Sequence, residues 1–106
     1  MTLHHFRPER YHTTIGSHPP ALRIADGDTV RTTTVDAMGL DRSGEPVTPG
    51  GNPQTGPFFV EGAEPGDVLA VRLDRLTPNR TTGLSGTVVA PNVVDPGAVR
   101  SLPERN

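Results

Sequence analysis

The sequence predicts a mainly β protein: antiparallel hairpins forming a small sheet or a partial sandwich or barrel, with long Gly/Pro-rich loops between them. Three observations carry that expectation. Residues 56–73, GPFFVEGAEPGDVLAVRL, pass from the turn pair Gly56 and Pro57 into Phe58, Phe59 and Val60, reverse at Pro65 and Gly66, and resume as Leu69, Val71 and Leu73 alternating with Ala70 and Arg72. Residues 21–37, ALRIADGDTVRTTTVDA, repeat the plan, with Leu22 and Ile24 before a reversal at Asp26, Gly27 and Asp28 and a β-branched run after it. In both copies a Gly-Asp pair, Gly27-Asp28 and Gly66-Asp67, stands immediately before the second run.

The physical basis is local. Aromatic and β-branched residues suit a pleated, half-buried surface, and an apolar period of two places one face on a core and the other in water. Pro65 presets φ for a tight reversal, and Gly66 accepts a positive φ without steric cost. Asp28 and Asp67 have two readings: each carboxylate accepts turn N–H groups locally, or it serves as a ligand.

Composition limits the core. The 106 residues are 32% hydrophobic with four aromatic residues and no Trp, and 12 Gly plus 12 Pro bring the chain to the edge of poorly ordered sequence. The length suits a single domain over residues 1–106 with a modest core. Ten basic and twelve acidic residues are scattered along the chain, so no electrostatic footprint for nucleic acid or an anionic membrane exists. The absence of Cys excludes disulfides and thiol chemistry. No apolar run approaches a membrane span or a signal-peptide core, which makes a soluble, cytoplasmic protein the default expectation.

Residues 1–20 are polar and hold all four histidines, His4, His5, His12 and His18, with residues 3–6 as a short candidate strand. On a strand, His4 and His5 point to opposite faces, so they bind one metal ion only if the strand bends. Asp36 ends the β-branched run and precedes the irregular residues 38–56, a position where a strand fixes a carboxylate while a loop leaves room for a ligand. The alternative is a solvated aspartate capping its own loop. Residues 81–106 read as a poorly ordered or extended tail, within which residues 96–102 suit one helical turn that Pro103 ends. No CxxC, HExxH, phosphate-loop or dinucleotide fingerprint occurs, nor a Gly-x-Ser-x-Gly elbow.

Taken together, His4-His5, SHPPALRIADGDTV, the TxDAxG step at residues 34–39 and GPFFVEGAEPGDVLAVRL resemble the N-terminal part of the acetamidase/formamidase family. The likeness covers roughly the first two thirds of the chain, and VEGAEPGDVLAV is its most specific part. It implies a β-rich enzyme hydrolysing small linear amides to carboxylate and ammonia, with zinc in some relatives and hence a divalent metal ion as an expected cofactor. Such chemistry needs an activated water, a stabiliser for the oxyanion and an acid for the departing ammonia. By position on the matched motifs, the resemblance implies Asp36 and Glu61 as catalytic carboxylates and His4 or His5 as metal ligand or proton carrier.

The chain departs from the family in one large respect. Family members are longer, and their second half carries a motif of the kind DxHAxQGDGE that has no counterpart here. The expectation is therefore an incomplete, N-terminal part of a larger fold, working as a homo-oligomer or with a missing C-terminal half. The competing expectation is a non-catalytic β-rich assembly or binding module that keeps only the hairpins. For Glu61 the plain alternative is a strand-end residue paired with an Arg.

Overall fold

The computed structural model describes residues 1–86 and 89–103. Four short strands form: β1 (Leu3–His5), β2 (Leu22–Ile24), β3 (Thr29–Arg31) and β4 (Phe58–Val60). They pair as two two-stranded sheets, β1 with β3 and β2 with β4, and both pairings are parallel. The antiparallel hairpins expected from the sequence are thus corrected: the reversals are present, but the runs that flank them do not pair with each other.

The turn chemistry supplies the reason. At residues 25–28 the Asp28 N–H donates to the Ala25 carbonyl at 3.0 Å, as a hairpin turn requires. The returning bond is missing, because the Ala25 N–H donates to Asp28 Oδ2 at 2.9 Å and leaves the Asp28 carbonyl out of the ladder. Gly27 has φ +85, at the third position of the reversal. A positive φ there is the mark of a type II turn, whose twist splays the flanking strands, whereas the mirror-image turns align them. Residues 64–67 repeat the arrangement, with Asp67 N–H to Glu64 O at 3.0 Å, Glu64 N–H to Asp67 Oδ2 at 2.9 Å, and Gly66 at φ +98.

Each released strand finds another edge. β3 runs beside β1 with Leu3 opposite Thr29 and His5 opposite Arg31, and Thr29 N–H to Thr2 O and Phe6 N–H to Arg31 O extend the ladder. β2 runs beside β4 with Leu22 opposite Phe58 and Ile24 opposite Val60. Leu22, Ile24, Phe58 and Val60 share the half-buried face, while Arg23 and Phe59 face outward with the guanidinium 4.3 Å from the ring centroid. Phe6 and Phe58 meet edge to face at 5.2 Å and join the two ladders.

No hydrophobic side chain among the described residues is fully buried. The radius of gyration is 17.3 Å, against about 13 Å for a compact domain of this length. The second apolar run of the sequence, around Leu69, Val71 and Leu73, forms no strand. Residues 61–79 are exposed throughout, with Val68 at 95% and Leu76 at 85%. In the C-terminal stretch, 3₁₀ turns form at Pro91–Val93 and Pro96–Ser101, each opening on a proline whose φ suits a helical start. No helix among the described residues is long and apolar enough to cross a membrane.

Candidate functional site

The irregular stretch after β3 contains the most closely built part of the molecule. Residues 36–40 and 41–45 are two successive copies of one five-residue loop, Asp-x-x-Gly-x. In the first, Asp36 Oδ1 accepts the N–H groups of Met38 and Leu40, both at 2.9 Å, while Gly39 N–H donates to Asp36 O and Asp36 N–H to Leu40 O. In the second, Asp41 Oδ1 accepts Ser43 and Glu45 N–H at 2.8 and 3.0 Å, Gly44 N–H donates to Asp41 O, and Asp41 N–H to Glu45 O. This is the three-residue reversal in which the last loop residue must take a positive φ, and Gly39 and Gly44 have φ +82 and +76. Gly39 is also buried under the following chain, where an added Cβ would fall 2.1 Å from the Thr48 carbonyl oxygen.

The loops aim Asp36 Oδ2 at Arg80. Arg80 Nη2 donates to it at 2.6 Å, and Nη1 donates to the Asp41 carbonyl at 3.2 Å, so one guanidinium spans both loops. The pair is mostly shielded, with side chains 21% and 22% exposed. The Arg80 hydrogen bond, helped by the Leu40 and Met38 N–H groups, holds the Asp36 carboxyl below the ordinary carboxylate range. Beside the pair lies a cleft of about 510 Å³ lined by Thr34, Val35, Asp36, Leu40, Asp41 and residues 78–83.

Such a carboxylate stays ionised and is a weak proton acceptor near neutral pH. It remains a strong hydrogen-bond acceptor, and Arg80 brings five N–H donors of which the two contacts above use only part. The cleft therefore offers an acceptor and a cationic donor side by side, which suits a small polar group bearing both N–H and C=O.

Glu61 does not line this cleft. It follows β4, donates its N–H to Ile24 O at 2.7 Å, and sets Oε1 3.3 Å from Arg23 Nη1 in a pair more than half exposed on both sides. The structure thus places Asp36 and Glu61 in different surroundings, with separate arginine partners. His4 and His5 lie on opposite faces of β1. His4 Nε2 is 2.8 Å from Asp28 Oδ2, and because that carboxyl is lowered to about 2, with the His4 bond as the first cause, the ring nitrogen is the donor. His12 and His18 stack on one another with centroids 3.8 Å apart. The donors do not fit a shared metal ion: among the described residues no three His, Asp or Glu side chains gather as one would need.

Arg80 is the residue that sequence reasoning missed. It lies 44 positions from Asp36 in a stretch without periodic pattern, so no local signal marks it. The tandem loop, within what the sequence suggested as an irregular stretch, did leave a signal: an Asp with a Gly three residues on recurs after five positions. Comparison with family models, curated proteins and solved structures finds no match for this chain.

Proposed function

We propose that this chain takes part in the hydrolysis of small linear amides to carboxylate and ammonia, contributing the substrate-orienting wall of the site. The observation that carries the reading is the shielded Asp36–Arg80 pair at the edge of a cleft. A primary amide presents one carbonyl acceptor and an NH₂ donor. Arg80 donates to the carbonyl and, as water adds, to the oxyanion. Asp36, kept anionic, accepts the amide N–H and fixes its orientation. The acetamidase/formamidase-like motifs at residues 34–39 and 56–73 support the same substrate class. In this reading Glu61 is a ladder-end ion pair with Arg23, and the group that takes the proton from water and returns it to the amide nitrogen as ammonia departs comes from outside the cleft residues. The site is cytoplasmic, where small amides and their products diffuse freely.

The test is ammonia release from formamide and acetamide by the folded chain. Turnover that is lost in Arg80→Ala and in Asp36→Asn, and unchanged in Glu61→Gln, is the expected result. No release from folded protein, or release indifferent to Arg80, rejects the assignment. A second reading, a non-catalytic β-rich assembly or binding module, is favoured by one feature: the apolar run Val68, Leu69, Val71, Leu73 and Leu76, whose side chains are all largely exposed.

A further inference from the structure

The exposed run has an unusual combination of properties. Among the described residues, residues 68–76 make no backbone–backbone hydrogen bond and belong to no strand or helix. Yet Leu69, Val71 and Leu73 alternate with shorter or polar residues as a strand's apolar face does, and all three are largely exposed. The run begins directly after a turn built like the one that launches β3. Its apolar surface continues into β4 through a shallow groove of about 330 Å³ lined in part by Phe58, Phe59, Val60, Val68 and Leu69. A row of unpaired N–H and C=O groups beside alternating apolar side chains is a template for adding a strand.

We propose that residues 69–77 pair antiparallel with the same residues of a second copy of this chain, about a two-fold axis through Leu73. The inference names the partner for the assembly reading and rests on that reading; it is independent of amide chemistry.

Charge complementarity selects both the occupant and the register. With Leu73 opposite itself, Arg72 of each copy faces Asp74 of the other, so the two-fold axis generates two opposite-charge cross-strand pairs. Arg72 and Asp74 already lie on one face, since Arg72 Nε donates to Asp74 Oδ1 at 2.5 Å within the chain. Both side chains are exposed enough to exchange that bond for the cross-strand one at little cost. On the other face, Leu73 meets Leu73, Val71 meets the stem of Arg75, and Leu69 meets Thr77. Shifting the axis to Val71 sets Arg72 against Ala70 and Asp74 against Val68, leaving both of those charges without a partner, and brings Arg75 only to Asp67, whose carboxylate already closes its own turn. The isologous pairing about Leu73 is the register in which the backbone, the apolar face and the charges agree.

The experiment is sedimentation of the full chain across a concentration series, with Arg72→Glu, with the exchanged pair Arg72→Glu/Asp74→Arg, and with single thiols introduced by Leu73→Cys and Val71→Cys. The chain has no native Cys, so oxidation reports only the introduced thiols. A dimer is expected, weakened roughly tenfold or more by Arg72→Glu, because like charges then stand opposite each other twice. The exchanged pair restores it. Air oxidation links Leu73→Cys chains into a disulfide dimer in preference to Val71→Cys chains. A dimer indifferent to Arg72→Glu, or linked instead through Val71→Cys, overturns the proposal while sparing the assembly reading. A chain that circular dichroism shows folded yet remains monomeric at every concentration overturns both. Isolation only in complex with a different polypeptide overturns the second copy as occupant.

Discussion

The turns at residues 25–28 and 64–67 are near copies of one another, but the segments they lead into differ. In both, an aspartate closes the reversal with its backbone N–H and caps the residue three before it with Oδ2, across a glycine at positive φ. After the first, the chain enters β3 and pairs with β1; after the second, it runs through exposed apolar residues with no strand beside it. The difference lies in the spare capacity of the carboxylates. Asp28 Oδ1 also accepts Thr2 N–H at 2.9 Å and its Oδ2 receives His4 Nε2, which ties the start of the chain to the turn and sets β1 in register. Among the described residues, the Asp67 carboxylate accepts only the Glu64 N–H of its own turn. A turn thus reverses the chain by local chemistry, but a strand forms only when a second edge is held within reach.

Removing the tie gives the largest expected effect. Asp28→Ala deletes the acceptor for Thr2, Ala25 and His4 at once, and should make the first turn behave as the second does. Hydrogen exchange at the Thr29 and Phe6 amides, both bonded across the β1–β3 ladder, should quicken roughly tenfold or more, the scale of a lost charge-assisted bond. Unchanged exchange would show that the ladder holds without the carboxylate.

Acid probes the same tie without mutation. The Asp28 carboxyl is lowered from 3.8 to about 2 by His4 and by the Ala25 and Thr2 N–H groups. A folded-state value below the unfolded one contributes stability that is complete above pH 3.8 and is lost as pH falls towards 2. The β1–β3 amides should therefore lose protection across that window, and Asp28→Asn should flatten the response.

The glycines sharpen the comparison further. Gly27 and Gly66 have nothing within 4 Å of an added Cβ, so Gly→Ala at either position costs chiefly the positive φ, about 1 kcal/mol. The expected contrast is in reach: Gly27→Ala should also raise exchange in β3, while Gly66→Ala should leave both ladders untouched. Smallest is Asp67→Ala, which removes one exposed turn bond and should lower stability by about 0.5 kcal/mol in urea melts. A larger loss there would mean that residues 69–77 have a partner in solution.

Much of the local structure was legible. Leu22–Ile24 and Phe58–Val60 are strands where the apolar runs predicted them, and Leu3–His5 falls within the short candidate at residues 3–6. Of the β-branched run at residues 29–35 only Thr29–Arg31 pairs, where β1 lies alongside. The Pro96–Ser101 turn ends short of Pro103 as its prolines predict. The pairing was misread because Pro-Gly and Asp-Gly marked reversals without distinguishing aligned strands from splayed ones. The signal was present: Gly at the third position, followed by an Asp able to cap, favours the splayed turn. At the candidate site, Asp36 could be singled out from its place at the end of a strand-like run, whereas Arg80 could not.

The amino-acid order alone determined the bends at residues 25–28, 36–40, 41–45 and 64–67, because each of these four is closed by an aspartate and a glycine lying within five residues of one another. Which strands lie side by side, and that Arg80 bridges Asp36 and Asp41, were decided only in three dimensions. Those contacts join segments far apart along the chain, and their free energy depends on which edges and charges the turns bring within reach, a quantity no short window of residues contains.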